Sequence, residues 1–386
     1  MAETLRTNWH IGHLAHISPS SLTYGMHALK LARGLGASEL VLKSLRVISQ
    51  AHISVGRWDE GEAFLREAIA LSHSQGNQSI QAESLALLAA ASLYKGQPRA
   101  AVNNAREAYQ ISLQLKSSWI QGRSMMFLTL GLVECGDYEE ALTIALTGVQ
   151  EARALGSLGR LAGALHILGV VFLALLRLDD ASTAYREALE INQKLQARAY
   201  TELISAKLCA VYALQSKWSA ARTWALQALE ARGDALSKAV LIIELHRWWE
   251  TEALLRGGDE EQAEEDVRRF GQNIGLNHRY RIPYLRSLAM LEQWHQKPDQ
   301  AITYLNEAGA LAEEIGLPGE LWQIQAALGE LYLIKRRVAQ ADRAFTSAAM
   351  IIHELANRIQ DEALRRDFLH AQQIQCVLEK QAEKQL

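Results

Sequence analysis

Residues 165–191 read LHILGVVFLALLRLDDASTAYREALEI, and this stretch decides the fold. An apolar run is followed by the turn-like segment RLDD and then by the small residue Ala181. Ala188 comes seven residues later. It lies on the same helical face as Ala181, because seven residues make about two turns. Tyr185 stands between the two alanines on that face. A small–large–small stripe predicts a socket against which a neighbouring helix packs closely.

The same pattern recurs at a nearly constant interval along the chain. Turn-like motifs such as GRWDEG, GQPRAA, GDYEEA and KPDQA each end in a small residue. These station residues are Gly61, Ala101, Ala141, Ala181, Ala221, Ala263, Ala301 and Ala341. Successive stations lie 40, 40, 40, 40, 42, 38 and 40 residues apart. A second small residue follows each station after seven residues, except at Phe270. A fixed period of this kind is the sequence signature of a helical repeat array.

The composition favours helices throughout. Hydrophobic residues make up 49% of the chain and charged residues 22%, which suits a packed core and argues against disorder. Long segments are rich in Ala, Leu, Glu, Gln and Arg, which are good helix formers, and no sustained period-two alternation indicates strands. We therefore predict an all-α solenoid of antiparallel helix pairs. One pair is expected at residues 38–55 and 58–74, with an earlier helix near residues 20–34.

The repeat resembles the tetratricopeptide repeat. In the stretch quoted first, Leu168, Gly169 and Phe172 match the signature of the first helix, and Ala181, Tyr185 and Ala188 match that of the second. The last repeat matches through Leu328, Gly329, Tyr332, Ala341, Phe345 and Ala348. The family period is about 34 residues, so a 40-residue period implies longer helices. The resemblance covers roughly residues 20–357. It implies a right-handed superhelix of about nine helix pairs, with a concave inner wall made mostly by the first helices.

We expect one solenoid over residues 1–386. Residues 1–16 would form a truncated first helix, residues 17–357 the repeats, and residues 358–386 C-terminal capping helices. The N-terminal end lacks an obvious polar cap, so we expect further domains before residue 1.

The segment NRIQDEALRRDFL resembles the C-terminal end of the helical-repeat sensor in bacterial signalling ATPases and maltose-activator-like transcription regulators. This resemblance implies a sensor or partner-recognition arm of a larger regulator. The chain contains no GxxxxGK[ST] phosphate loop, so any ATPase would lie outside it.

Sequence motifs for catalysis or metal binding are missing. There is no HExxH, GxSxG or CxxC, and the three cysteines have no zinc-site spacing. His10, His13 and His16 share a helical face, but exposed histidines explain them better than a metal site. Glu139 and Glu140 suit the start of a helix better than acid–base chemistry. We expect a non-enzyme without cofactor or metal.

The net charge and the composition of the N-terminus limit the kinds of partner that we expect for this chain. The net charge is −3, which disfavours a nucleic-acid track, and the N-terminus lacks the features of a signal peptide. We expect a cytoplasmic protein that binds neither nucleic acid nor membrane. The segment HRYRIPYLR, residues 278–286, is interpreted as a solvated helix start or as a local contact of Arg with an anion or a carboxylate. Trp248 and Trp249 either pack in the core and over a turn, or form a stacking wall for a ligand.

Counting from the stations places a set of first-helix residues on the concave wall. The candidate binding residues are Lys43, Arg46, Gln50, Arg123, Met126, His166, Trp248, Glu252, Arg286, Met290 and Trp294. An apolar trough with a few cations suits a protein, a peptide or a small-molecule inducer. The main hypothesis is the sensor arm of a bacterial regulator. The alternative is a free-standing scaffold that joins protein partners.

Overall fold

The computed structural model describes residues 19–54, 56–232, 246–274 and 277–382. The predicted truncated helix at residues 1–16 lies outside the described residues, and so do His10, His13 and His16.

Nineteen α-helices make up the described part of the chain, which contains no strand. They are α1 (Pro19–Gly34), α2 (Ser38–Ser54), α3 (Trp58–Ser74), α4 (Gln78–Tyr94), α5 (Pro98–Gln114), α6 (Ser118–Cys135), α7 (Tyr138–Ala154), α8 (Leu158–Ala174), α9 (Leu178–Lys194), α10 (Arg198–Leu214), α11 (Trp218–Arg232), α12 (Arg247–Arg256), α13 (Glu260–Ile274), α14 (His278–Trp294), α15 (Pro298–Ile315), α16 (Pro318–Ile334), α17 (Val338–Arg358), α18 (Glu362–Leu369) and α19 (Gln372–Ala382).

The predicted helix pairing is confirmed. The even-numbered helices α2 to α16 are the first helices of eight pairs, and the odd-numbered helices α3 to α17 are their partners. Helix α1 occupies the position of a second helix, as expected for residues 20–34, and α2 and α3 match the ranges predicted for the next pair. The all-α solenoid is therefore correct.

Packing inside a pair explains the repeat signature. Ala181, Tyr185 and Ala188 of α9 are all fully buried. A Cβ atom added to Gly169 of α8 would lie 2.5 Å from Cε1 of Tyr185, so only glycine lets the aromatic ring lie against the helix backbone. The last pair repeats this arrangement, because a Cβ on Gly329 would lie 2.7 Å from Cζ of Phe345. A glycine facing an aromatic ring thus lets the two helices of these two pairs pack closely.

The superhelix closes on itself after one turn. Helix α6 packs against α16, although nine helices separate them in the chain. Nδ2 of Asn277 donates to the carbonyl oxygen of Tyr94 at 2.7 Å, and Nη1 of Arg358 donates to that of Cys135 at 2.7 Å. The backbone N–H of Gln360 donates to Glu139 at 2.5 Å. We call helices α4–α17, joined by these contacts, the closed ring, and helices α1–α3 the N-terminal arm.

The two C-terminal helices do not continue the repeat. Asp361 caps α18 by accepting a hydrogen bond from the backbone N–H of Leu364 at 2.9 Å. Helix α19 packs on α17 and also reaches across the ring, where Nε2 of Gln373 donates to the carbonyl oxygen of Leu214 at 2.8 Å. Helix α19 therefore lies across one opening of the ring.

Candidate functional site

A cavity of about 500 Å³ lies inside the closed ring. Its wall comes mostly from the first helices α6, α8, α10, α12, α14 and α16, and α19 borders its mouth. The volume falls within the roughly 300–1,000 Å³ typical of small-molecule sites. The exposed Cys376 of α19 lies at this mouth.

One part of the cavity wall is apolar and aromatic. It includes Val170, Leu173, Trp248, Trp249, Met290 and Trp322. Trp248 is 2% exposed, and its ring centroid lies 6.2 Å from that of Trp249. Both tryptophans line the cavity, so this wall could stack against a flat or branched apolar group.

Another part of the cavity wall is a network of buried charged side chains. Arg279 donates to both oxygens of Glu134 at 2.7 and 3.0 Å and to Glu320 at 3.2 Å. Arg286 donates to Glu320 at 2.5 Å, and its guanidinium carbon lies 3.5 Å from the ring centroid of Trp248. Two cations therefore balance two carboxylates, as buried charges generally require.

A third cation, Lys207, lies outside this balance. It is 3% exposed, and its Nζ lies 2.5 Å from Nδ1 of His246. Among the residues that the structure describes, no carboxylate pairs with it. Burial lowers the pKa of Lys207 to about 8, although Glu134 and Glu320 oppose this shift.

The two histidines of the cavity wall are neutral near pH 7. Burial and then the charge of Lys207 lower the pKa of His166 to about 3. Burial, followed by Lys207, Arg279 and Arg286, lowers the pKa of His246 well below its usual value. Because the ammonium of Lys207 donates, Nδ1 of His246 accepts, and its proton resides on Nε2.

Three buried polar atoms on cavity-lining residues have no hydrogen-bond partner within the described structure. They are Nε2 of His166, Nε1 of Trp248 and Nη1 of Arg279. A buried polar group without a partner generally costs about 1–3 kcal/mol. All three atoms belong to side chains that form the wall of this one cavity.

The structure brings five of the predicted binding residues together. His166, Trp248, Glu252, Arg286 and Met290 all line the cavity. Glu252 also accepts a hydrogen bond from Arg256 at 2.9 Å, and burial raises its pKa.

The other six predicted residues lie elsewhere. Lys43 is exposed and pairs with Glu39 at 2.6 Å, whereas Arg46 pairs with Glu83 at 3.1 Å. Burial, and then Arg46, lower the pKa of Arg123 to about 10, so these two arginines lie near each other. The remaining three are Gln50 and Met126, both partly buried, and Trp294, which is 43% exposed and donates to Glu260 at 3.3 Å.

Counting from the stations missed Lys207, His246, Arg279 and Glu320. Lys207 had a usable signal, because it is the only charge in the apolar run of residues 203–213. Arg279 and Glu320 come 22 and 21 residues before their stations, Ala301 and Ala341. The binding positions were counted with the shorter family repeat. They therefore do not reach the additional turn that the 40-residue period adds to the start of each first helix, where Arg279 and Glu320 lie.

Residues 278–286 are not a solvated helix start. Arg279 and Arg286 are 3% and 7% exposed. Their carboxylate contacts confirm the alternative interpretation of this basic segment, a local contact between Arg and a carboxylate.

One surface group among the described residues has metal-ligand chemistry. Nε2 of His295 lies 3.0 Å from Glu260 and 3.3 Å from Glu264. These distances are accounted for by ion pairing, and the group lies outside the cavity. Glu139 is also accounted for structurally, because it binds the backbone of the segment after α17.

Solved structures share this fold. The Rap conjugation gene regulator of the plasmid pLS20, in complex with the Phr* peptide, has a TM-score of 0.62 at 13% identity, covering 88% of this chain and 95% of that one. A Rap protein complexed with Competence and Sporulation Factor has a TM-score of 0.52 at 14% identity, covering 88% and 87%.

A tetratricopeptide repeat protein from Parabacteroides merdae is less similar, with a TM-score of 0.43 at 13% identity over 71% of this chain and 97% of that one. No protein-family model matches the chain, and no curated protein matches it in sequence. The helix pairs of this chain and its similarity to the two Rap structures show a tetratricopeptide-like helical solenoid. Within the described residues, no helix is long and apolar enough to cross a membrane.

Proposed function

We propose that this chain is a non-catalytic binding protein whose central cavity receives a short peptide or a small-molecule inducer. In this proposal it is the sensor arm of a bacterial signalling or transcription regulator, with further domains before residue 1. The observation that carries the proposal is a cavity of about 500 Å³, partly lined by tryptophans, whose wall contains three buried polar atoms without a hydrogen-bond partner in the described part of the chain.

The two solved structures with the same fold support a binding role. One is a gene regulator in complex with a peptide, and the other is complexed with a factor. A ligand in this cavity would contact first helices from opposite sides of the ring at once. Its binding energy would therefore act on the ring closure, which is how a sensor transmits occupancy.

A second candidate function is a protein adaptor. The N-terminal arm exposes large apolar side chains, namely Tyr24, Met26, Leu31, Leu35, Leu40 and Val47. An apolar surface of this kind is typical of a protein interface. This candidate predicts binding at the arm and no dependence on the cavity.

Equilibrium dialysis against a defined pool of short peptides and metabolites, read out by mass spectrometry, tests the cavity directly. The variant Ala327→Trp fills the cavity, whereas Ala310→Trp adds the same side chain to the exposed surface of α15. We expect the wild type and Ala310→Trp to retain the same compounds and Ala327→Trp to lose them. Retention by Ala327→Trp would reject the cavity as the site.

Cys376 offers an independent readout of occupancy. It is exposed at the mouth of the cavity, whereas Cys135 and Cys209 are buried. We expect a retained compound to slow the reaction of Cys376 with a maleimide. An unchanged labelling rate, together with binding that depends on the N-terminal arm, would favour the adaptor.

A further inference from the structure

Of the three cations that line the cavity, Lys207 is the one without a carboxylate partner among the described residues. Glu134 and Glu320 are engaged by Arg279 and Arg286. Among the described residues, the neutral His246 is the hydrogen-bond partner of Lys207, and no carboxylate pairs with it. Burying an ammonium without a counter-ion is unfavourable. A side chain kept in that position is therefore one whose counter-ion can come from a ligand.

The buried polar atoms of the wall that lack a partner among the described residues are mostly hydrogen-bond donors, which matches a ligand that accepts hydrogen bonds. Nε1 of Trp248 and Nη1 of Arg279 can only donate, and Nε2 of His166 can donate in one tautomer. The cavity carboxylate outside the Arg279–Arg286 network, Glu252, already accepts from Arg256. An ionised acid is an acceptor without donors, so it matches this set.

The apolar side chains of the wall determine which kind of body the ligand can have. Trp248, Trp249 and Trp322 line the same cavity as Lys207, together with Val170 and Met290. These side chains favour an apolar body of modest size, and the cavity volume limits it to a small molecule or a short peptide.

We propose that the ligand is an organic anion, with a carboxylate-type head against Lys207 and an apolar body against the tryptophans. This inference rests on the proposed cavity function and specifies its ligand class. The anion can be the free C-terminus of a short peptide or a free organic acid, and the two share the same head chemistry.

A matched pair of fluorescent probes tests the anion directly. Anilinonaphthalene sulfonate and N-phenylnaphthylamine share one apolar body, but only the first carries an anionic group. We expect the wild-type protein to bind the anionic probe about ten- to a hundredfold more tightly. The cavity-filling variant Ala327→Trp should lose both probes, which excludes binding elsewhere on the surface.

Substituting Lys207 tests whether this residue causes the preference for the anionic probe. Lys207→Met should bring the affinities of the two probes to within about threefold of each other. Lys95→Met is the control, because Lys95 lies outside the cavity and pairs with Asp59 and Glu62. Circular dichroism and thermal unfolding show whether each variant is folded. Trp248→Phe keeps an aromatic ring but removes one donor, and should weaken the anionic probe alone.

Each outcome has one meaning. Equal binding of both probes to the wild type would overturn the anion proposal while leaving the cavity function standing. Absence of any cavity binding would overturn both. An anion preference that survives in Lys207→Met would overturn the role of that lysine.

Competitors then separate the two sources of the anion. Octanoate is compared with octanamide, and a trileucine peptide is compared with its C-terminal amide. Selective displacement by the free peptide acid assigns a peptide ligand, whereas displacement by octanoate alone assigns a small organic acid. Displacement by the uncharged amides as effectively as by the acids would contradict the proposal.

Discussion

The N-terminal arm and the closed ring are built from the same repeat, but they use charge differently. In the arm, Lys43 and Glu39 form a 2.6 Å pair in which both side chains are more than half exposed. In the ring, Arg279 and Glu134 form a 2.7 Å pair in which the side chains are only 3% and 18% exposed. The repeat therefore determines how helices pair, while a few residues outside its pattern determine where the array closes.

The largest difference between the two regions should appear on removing a buried cation. Arg279→Met leaves Glu134 and Glu320 without their shared partner and should lower the free energy of unfolding by about 3–5 kcal/mol. Arg33→Met removes an exposed pair with Glu67 in the arm and should cost at most about 1 kcal/mol. Urea denaturation measures both. Similar losses for the two variants would show that the ring does not depend on this network.

Removing the cation of Lys207 should raise the free energy of unfolding, whereas removing that of Arg279 should lower it. Lys207 is buried and has no carboxylate partner among the described residues. Replacing buried ionic groups by apolar side chains of similar volume often stabilises a protein by about 1–4 kcal/mol, so Lys207→Met should raise the melting temperature. Lys95→Met, in a partly exposed pair, should lower stability slightly. A destabilised Lys207→Met variant would mean that the lysine has a structural role.

The same lysine gives a dependence on pH. Its pKa is about 8 in the folded chain against an ordinary value of 10.5, so the unfolded state binds more protons between these values. Stability relative to Lys207→Met should therefore rise with pH from about 8 to 10.5. The groups facing it are Glu134, Glu250, Glu320, Arg279, His166 and His246. Thermal unfolding of the wild type and Lys207→Met across this pH range tests the direction. A stability difference that falls as the pH rises would contradict the prediction.

Closure should also be sensitive to a single methyl group. Gly136 has φ 82° and lies against Leu355 and Pro318 of the facing pair, whereas Gly76 has φ 67° and open space around it. Gly136→Ala and Gly76→Ala share the cost of the left-handed backbone, about 1–2 kcal/mol. Gly136→Ala should lose about 1–3 kcal/mol more from overpacking, as measured by denaturation. Equal losses would argue against a close approach at this turn.

The smallest expected effect concerns Glu139. Glu139→Ala removes the acceptor for the backbone N–H of Gln360 and should speed hydrogen exchange there about fivefold, which corresponds to about 1 kcal/mol. Glu140→Ala affects only a pair with Arg106 on the exposed surface and should leave that amide unchanged. Exchange measured by NMR distinguishes them.

The repeat could be predicted in detail because it depends on neighbouring residues. Helices α2 and α3 begin and end within a residue of the predicted positions, and the station Ala181 is fully buried. The closure could not be predicted in this way. It depends on small rotations between pairs that add up over several repeats, and on single contacts such as the one from Asn277 to Tyr94.

The candidate site was therefore found only in part. His166, Trp248 and Arg286 could be placed on the inner wall by counting. That Arg279 and Glu134 meet could not, because 145 residues separate them in the chain and no local pattern relates them.

The contacts that close the ring also determine when the cavity forms during folding. Asn277 and Tyr94 are 183 residues apart, and Arg358 and Cys135 are 223 apart, whereas each helix pair is made of contacts within one repeat. Local contacts form early, and contacts of long sequence separation form late because more chain must first be ordered. During synthesis the wall of the cavity stays open until α17 has been made. The cavity is thus completed after the individual helix pairs that form its wall, and α19 reaches its mouth last.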